Sequence, residues 1–114
     1  MDVVRRYLTA VADQDWPAAE GCLADDVVRI GPFGDVYQGR RDYVEFLRRL
    51  MPELHGYRME IDRIVASGDG KVVMAELSET VEMEGRTVHT PETLVFDLDS
   101  SGRIGHLSVY IQTT

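Results

Sequence analysis

The sequence predicts an α+β domain: helices in the first half of the chain, then consecutive strands whose single apolar face those helices cover. Two observations carry this. Before residue 52 the apolar residues recur at helical spacing in two long segments flanking a short capped one, and from Met59 onward they mostly alternate. Short turns rich in Gly, Ser and Asp separate the alternating runs, at 67–70, 84–85 and 100–102. Strands joined by such turns pair antiparallel, and a sheet with one apolar face needs a second layer on it.

Val3, Val4, Tyr7, Leu8 and Val11 form the stripe of a helix over residues 2–13, with Arg5, Arg6 and Asp13 on its wet side. Asp15 is a suitable N-cap for a short second helix reaching about Ala24, because its carboxylate can accept from first-turn N–H groups and Pro17 is tolerated there. Val27 to Ile30 is a β-branched run that leads into Gly-Pro-Phe-Gly-Asp, where the chain turns. A third helix opens at Gly39-Arg40, with Tyr43, Phe46, Leu47, Leu50 and Met51 as its stripe and Pro52 as its end. Met59, Ile61 and Val65 mark a strand with imperfect alternation. The last strand places Leu107, Val109 and Ile111 on one face and His106, Ser108, Tyr110 and Gln112 on the other.

Between these strands lies Val73 to Phe96, read as a hairpin turning at Glu84-Gly85. Its core-facing parities are Val73, Ala75, Leu77, Glu79, Val81, Met83 and Val88, Thr90, Glu92, Leu94, Phe96, each carrying one carboxylate. The turn sets Met83 opposite Arg86, hence Leu77 opposite Glu92 and Glu79 opposite Thr90. Glu79 and Glu92 then become diagonal neighbours roughly 7–8 Å apart at Cα. A slip of one residue would turn both acids to solvent, but it would also expose Ala75, Leu77, Val81, Leu94 and Phe96.

At 114 residues, with 44% hydrophobic and 28% charged residues, the chain reads as one soluble domain, 1–114, able to bury a core without disulfides or metal. A net charge of −8 opposes the approach of phosphates, so neither nucleic acid nor membrane is expected as a partner. The lone Cys22 forms no internal disulfide, and the N-terminal segment has helical periodicity rather than the apolar core of a signal peptide, so the expected location is cytoplasmic. His55, His89 and His106 are widely spaced, no metal-ligand pattern or phosphate loop occurs, and no cofactor is indicated.

The pieces RYLTAVADQDWPAAEGCLADDVV, PFG followed by GR, and SSGRIGHLSVY, in this order, resemble the nuclear transport factor 2-like superfamily. That superfamily includes ketosteroid isomerases, limonene-type epoxide hydrolases and SnoaL-like polyketide cyclases. The resemblance implies a cone-shaped, curved sheet, antiparallel or mixed, with three helices of the N-terminal half on its concave face. It also implies a pocket for a small hydrophobic molecule and a homodimer formed through the outer sheet face. Against the ketosteroid isomerases, Tyr7 falls where the oxyanion-stabilising phenol stands. The general base falls at Gly31, the second oxyanion donor at Leu94 and the two supporting tyrosines at Leu23 and Leu47. Against the limonene-type hydrolases, the Arg and two Asp residues fall at Leu77, Glu79 and Val109, and the Asn at Gly31, so only Glu79 retains an acid.

Burial and a neighbouring charge can keep one carboxyl protonated while the other acts as base. Glu79, Glu92 and Tyr7 are therefore the candidate catalytic residues of a cofactor-free acid–base enzyme performing isomerisation, cyclisation or epoxide hydrolysis. Trp16, Phe33, Tyr43, Phe46, Leu77, Leu94 and Val109 are the candidate substrate-binding residues, and Tyr57 is a further aromatic that could wall the ligand. Other readings stay open: rim glutamates paired with Arg29 or Arg63, a Tyr7 that is simply a core aromatic, and a non-catalytic module that binds an apolar ligand or a protein.

Overall fold

A computed structural model describes residues 2–113. Helix α1 (Asp2–Ala12) buries Val3, Val4, Tyr7, Leu8, Ala10 and Val11, the stripe its spacing predicts. Asp15 caps α2 (Trp16–Cys22), accepting from the Ala18 N–H at 3.3 Å. That helix ends two residues earlier than expected, because β1 (Leu23–Ile30) begins at Leu23 rather than Val27. The exposed pair Asp25 and Asp26 breaks the alternation there, and the pairing of β1 with β6 shifts register between Leu23 and Val28.

The turn after Ile30 is a reversal, returning as a short β2 (Val36–Gln38) that pairs antiparallel with β1. Gly39 follows with φ of 92° and opens α3 (Arg40–Leu50), which continues into a single 3₁₀ turn over Met51–Glu53. Only a residue without Cβ adopts that φ freely, and so the chain can swing from the sheet edge into the covering helix.

The remaining strands are β3 (Arg58–Ala66), β4 (Val72–Met83), β5 (Arg86–Leu98) and β6 (Ile104–Ile111). The sheet order is β2-β1-β6-β5-β4-β3, mixed because β1 runs parallel to β6. The imperfect alternation of β3 has a cause: its register shifts between Ile61 and Arg63. The extra residue of a bulge inverts the parity beyond it. Ile64, opposite Ala75, therefore packs against the core, while Val65, expected there, is exposed.

The β4–β5 hairpin has the expected register, with Met83 opposite Arg86, Glu79 opposite Thr90 and Leu77 opposite Glu92. Its two turn residues, Glu84 and Gly85, both have positive φ, 51° and 76°, the handedness that fits the right-handed twist of paired strands. The core lies between the helices and the inner face of the sheet, where Val73, Ala75, Leu77, Phe96, Ile104 and Leu107 are essentially inaccessible. No helix among the described residues is long and apolar enough to cross a membrane.

Candidate functional site

Between α1, α3 and the inner face of β4–β6, the core opens into a cavity of about 360 Å³, within the range of small-molecule pockets. The opening exists because the inner parities of the hairpin change character along their length. Ala75, Leu77, Leu94 and Phe96 pack against the helices, whereas Glu79, Val81, Thr90 and Glu92 remain half-buried. Glu79 and Glu92 both line the cavity.

Their surroundings differ. Glu79 accepts a hydrogen bond from the Tyr57 hydroxyl, brought in from just before β3. Arg58 pairs with Thr80, which sets the preceding Tyr57 diagonal to Glu79. Burial, then the hydrogen bond and negative charge of Glu79, push the Glu92 carboxyl up to about 9, with Arg29 opposing. At neutral pH Glu92 is therefore an acid with a proton to give. Burial and the Glu79 charge also hold the Tyr57 phenol above its ordinary range. Neither Arg29 nor Arg63 pairs with these glutamates: Arg29 meets Asp35 at 2.6 Å and Arg63 meets Glu76 at 3.3 Å.

Tyr7 is fully buried in the cavity wall and its hydroxyl lies 2.5 Å from that of Tyr43 on α3. Its ring and that of Phe96 meet edge to face, with centroids 5.9 Å apart. Burial raises both phenols, so each stays protonated. Tyr43 stands one helical turn before Leu47, on the same face of α3. The leucine at the position of a supporting tyrosine is thus offset by a tyrosine four residues earlier.

Arg29, on β1, reaches the cavity beneath Tyr43 and Phe46, its guanidinium carbon 5.8 and 5.4 Å from their ring centroids. Its partner Asp35 sits on the β1–β2 turn, closed by Gly31 N–H donating to the Asp35 carbonyl at 2.7 Å. A Cβ at Gly31 would stand 2.3 Å from an Asp35 carboxylate oxygen and 2.5 Å from Arg29 Nη1. The ion pair therefore fills the place of the side chain that Gly31 lacks.

Phe33, Tyr43, Phe46, Leu94 and Val109 line the cavity. Two expected wall residues do not. Trp16 is buried in the core, since no residue of α2 reaches the cavity, and Leu77 is packed at 1% exposure with none of its surface on the cavity. Tyr57 lines the cavity as an aromatic wall residue could, but its bond to Glu79 was not expected, and Arg29 lines the cavity where it was expected only as a partner of rim glutamates. The signal for Tyr57 was its place just before a strand that runs beside Glu79; the signal for Arg29 was a cation inside a β-branched run. Among the described residues no group of three or more His, Cys, Asp or Glu side chains is arranged to hold a metal ion.

Residues 4–106 match the SnoaL-like domain family, and the chain belongs to it. Helices over a six-stranded mixed sheet, with a cavity between, are the NTF2-like fold of that family. A Mycobacterium tuberculosis epoxide hydrolase of the LEH-like type is 27% identical, with a TM-score of 0.82 over 97% of this chain and 80% of that one. A Xanthomonas campestris pv. campestris protein named for the polyketide cyclases is also 27% identical, with a TM-score of 0.78 over 96% and 87%. The fold is shared at 22% identity by SalBIII, an epoxide hydrolase/cyclase-like enzyme with a role in pyran ring formation in the polyether salinomycin; the TM-score is 0.83 over 98% and 89%. No curated protein matches the chain in sequence.

Proposed function

We propose that this protein is a cofactor-free acid–base enzyme that acts on a small hydrophobic substrate in the cavity, with Glu79 as base and Glu92 as acid. The observation that carries the reading is the inequality of two adjacent carboxyls on one cavity wall, with Glu92 held protonated to about pH 9 beside Glu79. One group to take a proton and one to give it, in a largely apolar cavity, suits proton transfer at carbon beside a carbonyl. The same pair suits opening of an epoxide by water or by a substrate hydroxyl, Glu79 drawing the proton from the attacking oxygen and Glu92 protonating the departing one. In either case Tyr57 positions the base. Tyr7 and Tyr43, both protonated, supply the pole where developing oxygen charge is accommodated. The family and the epoxide hydrolase likeness at 27% identity support an enzyme of this type.

The test uses two probes, since the substrate class is open between these reactions: deuterium uptake from solvent by 2-acetylnaphthalene, and diol formation from styrene oxide. Wild-type protein is expected to accelerate one of them, and Glu79→Gln and Glu92→Gln each to lower that rate at least about a hundredfold while keeping the fold. Rates that both substitutions leave unchanged sink the assignment.

A second reading, a binding module without chemistry, draws on one observation: the position of the ketosteroid isomerases' general base is Gly31 here, with the Arg29–Asp35 pair in the space beside it. It predicts ligand retention with no turnover of either probe. Pairing of two copies through the outer face belongs to both readings. Its support is the exposure there of Met74 and Tyr110, 46% and 61%, and sedimentation at micromolar concentration tests it.

A further inference from the structure

Arg29 is the only cationic side chain among the described residues that line the cavity. It is well enclosed, at 12% side-chain exposure, yet Asp35 engages Nη1 alone, and Nε is buried without an acceptor among the described residues. A guanidinium has five N–H donors, and leaving them unmatched away from water is costly. Tyr43 and Phe46 pack near the guanidinium and hold it against the cavity wall. Asp35 is held on a turn with its side chain 42% exposed, so its carboxylate can move to water while Arg29 stays fixed by the rings.

We propose that Arg29 is the substrate's anchor, and that the ligand of this cavity is an apolar molecule bearing one carboxylate, which takes over guanidinium donors in exchange with Asp35. The planar fork of Arg matches a carboxylate edge to edge. A single anion is favoured over a phosphate because one cation serves the cavity, Asp35 already engages it, and the chain carries a net −8.

The geometry also fixes which end reacts. Arg29 pairs with Leu107 on β6, whose partner on β5 is Phe96, four residues from Glu92. Two strand spacings, about 10 Å, and four residues, roughly 13 Å, therefore separate the two backbones. After the reach of the arginine side chain, a molecule of bicyclic size anchored at Arg29 extends past Leu94 and Val109 toward the glutamates. The inference rests on the acid–base reading for that reacting end, but not for the anchor.

The experiment is calorimetric binding at pH 7 of 2-naphthoate and its neutral counterpart 2-naphthamide. Wild-type protein is expected to prefer the acid by about tenfold or more, the scale of a charge-assisted hydrogen bond. Arg29→Met abolishes the preference while keeping the amide affinity. Asp35→Asn, which keeps the enclosed arginine and so serves where Arg29→Met does not fold, enlarges the preference severalfold by removing the internal competitor. Equal binding of acid and amide by wild-type protein, binding of neither, or an Asp35→Asn protein with no greater preference overturns the proposal. Glu79→Gln separates the two claims. A retained acid preference with unchanged turnover defeats only the acid–base reading, and a lost turnover without any acid preference in wild-type defeats only the anchor.

Discussion

Glu92 lies diagonally across the hairpin from Glu79, one strand over and two register positions along, and both side chains line the same cavity. The Tyr57 hydroxyl bonds only one member of the pair, Glu79, to which it donates. Burial together with the hydrogen bond and negative charge of Glu79 keeps Glu92 protonated.

Stability should fall with pH for this reason. Glu92 titrates near 4.5 unfolded and at about 9 folded, so between those values the native state holds one more proton than the unfolded chain. Its contribution is fully present below the unfolded value and is lost as pH rises through the folded one. The slope is at most about 1.4 kcal/mol per pH unit. Urea midpoints at pH 5.5, 7 and 8.5 check it: Glu92→Gln should gain on wild-type at each step. A constant difference between the two proteins would show that Glu92 is ionised in the native state.

If Glu92 is the proton donor, its titration sets the alkaline limb of the rate profile. Turnover of whichever probe reacts should decline above about pH 9 as the acid form is lost. In Glu79→Gln the charge that helps hold the proton is gone, so any residual rate should decline at lower pH. A limb that does not move between the two proteins belongs to another group.

The Tyr7–Tyr43 pair makes a sharper stability test. Tyr43→Phe leaves the Tyr7 hydroxyl fully buried without its acceptor or donor, at a cost of about 1–3 kcal/mol. Removing both hydroxyls leaves nothing unsatisfied. Tyr7→Phe with Tyr43→Phe should therefore cost less than the sum of the singles, by at least about 1 kcal/mol in denaturant unfolding. Additive costs would mean that the two hydroxyls do not bond each other.

Much of this was legible in the sequence because its signals are local. The hairpin register followed from two facts in the chain, a Glu-Gly turn and the parity of apolar residues, and counting back from the turn placed Leu77 opposite Glu92. The partners of Tyr57, Arg29 and Tyr7 were not legible, since each depends on which strands and helices become neighbours. Tyr43 looked like wall and became a hydrogen-bond partner because α3 crosses above α1's phenol. Val65 and Ile64 exchanged places through a bulge that leaves no mark in the residue types around it. Trp16 reads as a cavity aromatic by composition, but its helix packs away from the opening.

Gly31 faces the Arg29–Asp35 ion pair, and a methyl group there is the smallest change that tests the arrangement. No positive φ is involved, so Gly31→Ala incurs only the contacts a Cβ would make, 2.3 Å from Asp35 and 2.5 Å from Arg29. The overlap falls on the ends of both side chains, so the pair must separate, and losing a hydrogen bond to an enclosed charge costs about 1–3 kcal/mol. If the pair is what resists, shortening Asp35 makes room. In an Asp35→Ala background the same Gly31→Ala change should cost at least about 1 kcal/mol less, measured by urea unfolding of all four proteins at pH 7. An equal cost in both backgrounds would place the resistance in the turn's backbone rather than in the Arg29–Asp35 pair.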